Sequence, residues 1–173
     1  MATSLYDLSV ASYLQTLGAV SGFLEKGLKH LQANGTDPDG IVETRLYADM
    51  LPFRFQIVSV CHHSLGAIEG AKAGEFAPPS DMAPHGYAAL QGKVADTISA
   101  LQALTPDEVN ALSGRDMVFK LGSMQMPFTV DNFVLSFSLP NFYFHATTAY
   151  DILRIQGAPL GKRDFMGAMR MKR

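Results

Sequence analysis

The stretch VASYLQTLGAVSGFLEKGLKHL, residues 10–31, carries apolar side chains at alternating steps of four and three. The repeating positions are Val10, Leu14, Leu17, Ser21, Leu24, Leu28 and Leu31. Only the serine interrupts the apolar run, and this spacing places the side chains on one face of a helix of about seven turns. Asn34-Gly35 follows and is typical of a helix stop. We predict a first helix over residues 5–33.

A second helical pattern covers residues 41–73 and is apolar on two flanks. One flank comprises Leu51, Val58, Cys61, Leu65 and Ile68, and the other comprises Met50, Phe53, Ile57 and Val60. Pro52 lies inside the pattern and lacks a backbone N–H, which predicts a kink or a late start of the helix. Because one bundle would leave part of this apolar surface uncovered, we predict a homodimer packed through helix faces.

Two further helices and a pair of strands complete the expected elements. The proline-rich stretch GEFAPPSDMAPHG marks a loop, and helical spacing resumes over residues 85–104 and again over residues 130–156, where Pro140 predicts a kink. Between these helices, MVFKL and MQMPF flank Gly122-Ser123, a pair suited to a two-residue hairpin turn. Pro127 restricts the second strand to a sheet edge.

These elements predict an all-α fold, a four-helix bundle with a short β-hairpin between helices three and four. The 173 residues are of ordinary length for one domain, so we expect residues 1–173 to form a single bundle. Residues 157–173 are rich in glycine and basic side chains, which favours a surface tail.

Composition excludes several classes of protein. Hydrophobic residues make up 47% of the chain, which excludes disorder, and a net charge of −2 provides no basic field for nucleic acid. The N-terminus does not fit a signal peptide, and no apolar run has the length of a membrane span. Cys61 is the single cysteine, which points to a reducing compartment. We therefore expect a cytoplasmic protein without nucleic-acid or membrane partners.

Polar residues inside the apolar helices are the candidate site residues. On helix four, Asn141 and His145 lie four positions apart and share a face, with Tyr150 among the polar residues nearby. On helix two, Gln56 and the pair His62-His63 supply an amide and two imidazoles. Imidazole is a common ligand for zinc or nickel and a common general base. We expect a site between helices two and four.

Each candidate also has a structural interpretation. His145 could be a buried histidine hydrogen-bonded to Asn141 or to a tyrosine hydroxyl. His62 and His63 point about 100° apart on an α-helix, so the two are poorly placed to bind one ion together. Cys61 lies in the apolar stripe and is expected to be a core thiol, since burial raises a thiol pKa. The common motifs of hydrolases, metalloproteases and nucleotide-binding proteins do not occur.

Three blocks of the sequence resemble an uncharacterised family within the DinB/YfiT-like metalloenzyme superfamily. They are LPNFYFHATTAYDILRIQGAPLGKRDF at 139–165, RLYADMLPFRFQ at 45–56 and LSVASYLQTLGAVSGFLEK at 8–26. The resemblance implies a four-helix bundle. It also implies a divalent metal held by three histidines, one on helix two and two at i and i+4 on the last helix. Some members of the superfamily are thiol-dependent transferases or isomerases.

Carried onto this sequence, the resemblance implies a reduced set of ligands. The i, i+4 pair of helix four contains Asn141 and His145, and the ligand position of helix two contains Gln56. It implies His145 as metal ligand or base, with Asn141 and Gln56 as polar neighbours. Two hypotheses follow. The chain is a metal-binding protein or enzyme in which His145, with His62 or His63, binds the metal, or it is a non-catalytic helical-bundle dimer that binds a small molecule or partner after losing the three-histidine site. The resemblance also implies a third alternative, a thiol-dependent transferase or isomerase.

Overall fold

The computed structural model describes residues 3–80 and 83–172, and within them the chain is mostly helical with one small sheet. The helices are α1 Leu5–Leu8, α2 Val10–Ala33, α3 Phe53–Cys61, α4 Ala67–Ala73, α5 Tyr87–Gln102, α6 Pro106–Asn110, α7 Val130–Phe133, α8 Leu139–Ile155 and α9 Lys162–Met166. The strands are β1 Glu75–Phe76, β2 Asp116–Leu121 and β3 Met124–Thr129. The predicted helical class is confirmed.

The first predicted helix, 5–33, is divided at Ser9. The backbone of Ser9 leaves helical geometry there, and its buried hydroxyl donates to the carbonyl of Leu5 at 2.6 Å. A side-chain hydrogen bond of this kind competes with the helical backbone ladder. The short α1 therefore ends before α2 begins, and the prediction of one uninterrupted helix was wrong at this point.

Helix two begins at Phe53, directly after Pro52, and not at residue 41 as predicted. Proline offers no N–H for a preceding turn of helix, which explains the late start. Residues 38–41 form a 3₁₀ turn instead. Helix two then runs through α3, a π-helical turn at His62–Gly66 and α4, and it ends at Gly74, where φ is 79°.

Helix four also contains a π-helical turn, at Val134–Ser138, between α7 and α8. Pro140 lies at the start of α8, immediately after this turn. The proline ring excludes the usual contact with the carbonyl four residues earlier, and the wider turn accommodates that loss. The distortion predicted at Pro140 thus lies on its N-terminal side.

The sheet has three strands in the order β1-β2-β3, one more than predicted. β2 pairs antiparallel with β3 around Gly122-Ser123, and Pro127 lies on the edge strand β3. β1 follows helix two and pairs parallel with β2, with Glu75 opposite Val118. The proline-rich stretch predicted as a loop therefore begins with a strand.

The four long helical segments contact one another in a closed order. α2 contacts α5 and α8, and α3 contacts the same two helices from the other side. Both apolar flanks of α3 are consequently buried within one chain, including Phe53, Ile57, Val58 and Val60. Most of the surface on which the dimer prediction was based is thus covered by the protein's own helices, and Leu51 remains 41% exposed.

Part of the predicted surface tail packs against the body of the fold. Ala158 and Leu160 are buried, the Lys26 ammonium pairs with the Asp164 carboxylate, and Gln15 donates to the carbonyl of Met166 at 2.9 Å. These contacts fasten α9 to α2. Beyond Gly167 the described residues are exposed. No helix within 3–80 and 83–172 is long and apolar enough to cross a membrane.

Candidate functional site

A hydrogen bond between Gln56 of α3 and His145 of α8 joins helices two and four. The Gln56 amide nitrogen donates to the carbonyl of Leu51 at 2.7 Å, which orients the amide. Its oxygen Oε1 therefore faces Nδ1 of His145 at 2.8 Å and must accept the hydrogen. His145 is thus protonated on Nδ1, and its Nε2 carries the lone pair.

His63 approaches His145 from the π-helical turn of helix two. The ring centroids are 5.7 Å apart and the ring planes differ by 15°. His63 is buried, and its Nδ1 has no hydrogen-bond partner among the described residues. Ser59, one helical turn earlier, likewise has a buried hydroxyl without a partner in that part of the chain. Buried polar groups without a hydrogen-bond partner are uncommon in protein interiors. The two groups therefore make this part of the contact between the helices a candidate site.

Aromatic rings surround the two imidazoles. Phe55 and Phe144 contact His145 edge to face, with centroids 5.9 Å and 5.3 Å away. Phe137 and Phe76 contact His63 at 5.8 Å and 5.5 Å. These rings exclude water from most of the imidazole surface and lower the local dielectric constant.

Burial keeps both imidazoles uncharged at neutral pH. It lowers the pKa of His63 to about 3, with the neighbouring His145 and His62 adding to the effect. It lowers the pKa of His145 to about 4. A neutral imidazole offers a nitrogen lone pair, so the pair can coordinate a cation or accept a hydrogen bond.

His62 faces a different part of the molecule. Its Nε2 donates to the carbonyl of Ala77 at 2.7 Å, and its ring stacks on Phe76 with centroids 4.4 Å apart. The ring lines a cleft of about 610 Å³ between helix two, α5 and residues 75–80. Cys61 borders this cleft, and burial raises the pKa of its thiol to about 11, so the thiol is protonated at neutral pH.

Two other predicted site residues lie away from the imidazole pair. The Asn141 amide donates to the carbonyl of Phe137 in its own helix at 2.7 Å. Tyr150 packs between Phe23 of α2 and Phe165 of α9. The structure therefore brings together Gln56, His63 and His145, and it places Asn141, Tyr150 and His62 in other environments.

A buried chain of hydroxyl groups lies behind His63 and was not predicted. Ser138 donates to the carbonyl of His63 at 2.6 Å, and the hydroxyl of Tyr13 lies 2.6 Å from that of Ser138. Both side chains are fully buried. Helical spacing did not indicate Ser138, because the π-helical turn shifts it onto the face that meets helix two. The proline two positions later was the available signal.

The side chains present do not form the three-histidine site that the resemblance implies. Within the described ranges, no group of three or more His, Cys, Asp or Glu side chains is arranged to hold a metal ion. His63 and His145 instead supply two nitrogens, and the Gln56 amide holds one of the rings in place. Two imidazole nitrogens are one ligand fewer than a three-histidine site has.

Comparisons with known proteins agree with this fold. A crystal structure of a DinB family member from Shewanella denitrificans matches with a TM-score of 0.81 and 24% sequence identity, over 98% of this chain and 95% of that one. No curated protein sequence matches. Residues 5–166 match the sequence profile of DUF1993, a domain of unknown function. The chain therefore belongs to the DUF1993 family and has a DinB-like fold.

Proposed function

We propose that this chain is a DinB-like four-helix bundle that binds a divalent cation, Zn²⁺ or Ni²⁺, between helices two and four. The protein ligands are His63 and His145, and water or a bound small molecule supplies the remaining ligands. One observation carries the proposal. Two uncharged imidazoles from different helices have their ring centroids 5.7 Å apart, and one of the two rings has a fixed tautomer.

The pKa values favour a ligand over a general base. A general base works best when its pKa lies near the working pH, and the pKa of His145 is lowered to about 4. A metal ligand has the opposite requirement, because it must be unprotonated when the ion binds. Gln56 then has the role of the group that orients a coordinating histidine through its other nitrogen.

The test is a calorimetric titration of untagged protein with Zn²⁺ and Ni²⁺ at pH 7. We expect one ion per chain and an affinity below that of a three-histidine site. His63→Ala and His145→Ala each remove one ligand and should weaken binding at least tenfold. His30→Ala is the matched control, since the His30 ring lies in the last turn of α2 beside Asn34 and Gly157.

Two results would contradict the proposal. One is binding of the ion by His145→Ala with the affinity of the parent protein. The other is the absence of binding by the parent protein at millimolar metal, which would favour the non-catalytic bundle.

We also propose that the chain forms a homodimer through helix four. The exposed apolar side chains of this helix are Leu135, Tyr143, Phe144 and Ile155, which are 47%, 40%, 56% and 60% exposed. Phe144 and Ile155 are eleven positions apart and so lie on the same face of α8. Large exposed apolar side chains that share a face are typical of an interaction surface. Light scattering should give about twice the chain mass of 18.8 kDa, and Phe144→Ser should shift it to the monomer. A parent protein that is monomeric at micromolar concentration would contradict the dimer.

A further inference from the structure

We infer that Tyr13 and Ser138 are positioning residues that hold the imidazole of His63 against that of His145. The inference rests on the proposed function, because it gives these two hydroxyl groups a role at the same site. The juxtaposition that supports it is a buried line of hydrogen bonds from α2, through helix four, to the backbone of helix two.

The direction of each hydrogen bond follows from the groups involved. The carbonyl of His63 can only accept, so the hydroxyl of Ser138 donates to it. The single hydrogen of Ser138 is then in use, so the hydroxyl of Tyr13 must donate to Ser138. Each step is 2.6 Å long, and the three groups leave no choice of orientation.

The π-helical turns explain why the carbonyl of His63 takes this outside donor. In an α-helix the N–H of Ala67 would donate to His63, four residues earlier. In this structure the N–H of Ala67 donates to the carbonyl of Ser64 instead. Ser138 is the last residue of the second π-helical turn and donates in the place of Ala67. The second π-helical turn therefore supplies a donor to a carbonyl that the first π-helical turn leaves without its α-helical partner.

Holding the carbonyl also holds the side chain. The peptide plane that follows His63 shares its Cα atom, so a fixed carbonyl limits rotation of the backbone about that atom. The centroid of the His63 ring then remains 5.7 Å from the centroid of the His145 ring. Turns of π-helix often occur at functional sites, and two of them meet at His63.

The variants Tyr13→Phe and Ser138→Ala test the inference, with Tyr87→Phe as matched control. Tyr13 packs edge to face on Phe142 at 5.0 Å, so removal of its hydroxyl leaves the ring supported. Tyr87 is equally buried and donates to the carbonyl of Leu24 at 2.8 Å, in the contact of α5 with α2. Both tyrosine variants lose one buried hydrogen bond, and only one of them lies behind His63.

The first readout is independent of any ligand. Long-range proton–nitrogen NMR correlations report the ring nitrogens of His63 and His145. We expect Tyr13→Phe and Ser138→Ala to shift the resonances of both rings and Tyr87→Phe to leave them in place. Because the chain runs through Ser138, the double variant should match Ser138→Ala alone. Unchanged ring resonances in Ser138→Ala would overturn the inference.

The second readout is Zn²⁺ affinity, which should fall about tenfold in Tyr13→Phe and stay unchanged in Tyr87→Phe. The two readouts separate the two proposals. If the parent protein binds no Zn²⁺, the proposed function fails while the NMR comparison still tests the positioning role. If Zn²⁺ binds and both tyrosine variants behave alike in both readouts, only the positioning role fails.

Discussion

At the scale of single residues, the candidate site depends on an amide that can take one orientation only. Gln56 donates to Leu51 and accepts from His145, so exchange of its oxygen and nitrogen would break both hydrogen bonds. Sequence reasoning identified Gln56 and His145 as neighbours across helices two and four. It could not assign their tautomer or orientation, which depend on the carbonyl of Leu51 just before the helix.

The buried imidazoles predict a loss of stability in mild acid. The pKa of His63 is about 3 in the folded chain and about 6.5 in an unfolded one. Below pH 6.5 the unfolded chain binds a proton that folded His63 does not. The unfolding free energy therefore decreases as the pH decreases. The slope is up to about 1.4 kcal/mol per pH unit for one histidine. Urea denaturation at pH 7, 6 and 5 should show a smaller loss in His63→Ala than in the parent protein. Equal losses would contradict the lowered pKa.

Ser59 offers a test of the unpartnered hydroxyl. Its removal in Ser59→Ala relieves a buried polar group, so the unfolding free energy should stay unchanged or rise by up to about 1 kcal/mol. Ser64→Ala is the control, because the Ser64 hydroxyl donates to the carbonyl of Val60 at 2.8 Å and its loss should cost about 1 kcal/mol. Thermal and urea denaturation measure both. Equal destabilisation would show that Ser59 has a partner in solution.

At the scale of elements, the sequence predicted which segments are helical better than how each helix runs. Apolar spacing located the four long segments, because burial on one face requires it. The same spacing assumes 3.6 residues per turn, and the π-helical turns at His62–Gly66 and Val134–Ser138 depart from that number. The angle of about 100° between the side chains of His62 and His63 holds for an α-helix, so it could not show which of the two faces His145.

The end of helix two depends on Gly74, whose φ of 79° is strained for residues with a side chain. Gly74→Ala should lower the unfolding free energy by about 1–2 kcal/mol. Gly22→Ala is the matched control, because Gly22 lies on the exposed side of α2 with open space around it. That change should raise the unfolding free energy by about 0.5–1 kcal/mol. Urea denaturation measures both changes, and equal effects would contradict the left-handed conformation at Gly74.

At the scale of the whole molecule, the C-terminal segment is part of the packed structure. Its glycine and basic residues predicted a surface tail, because composition does not reveal which few apolar side chains find a groove. Leu160 is buried, and α9 lies against α2. The mostly helical class and the helix-two to helix-four contact were predictable because they follow from long periodic patterns. The fastening of residues 158–166 rests on single contacts.

Leu160→Ala tests this role of the C-terminal segment. A buried leucine replaced by alanine costs about 2–5 kcal/mol, so the melting temperature should fall clearly. Met169→Ala, at a position that is 54% exposed, should change the unfolding free energy by at most about 0.5 kcal/mol. Calorimetry compares the two. A melting temperature of Leu160→Ala equal to that of the parent protein would show that this segment does not stabilise the fold.

The parallel pairing of β1 with β2 has a consequence for the order in which the chain assembles. Glu75 pairs with Val118, 43 positions later, and α5 and α6 lie in the connection between them. Two parallel strands cannot be joined by a tight turn, so this connection must cross over before the strands can meet. We expect β2 and β3 to form first as a local unit and β1 to join them late. During synthesis, β1 at the end of helix two would then have no strand to pair with until residue 118 has left the ribosome.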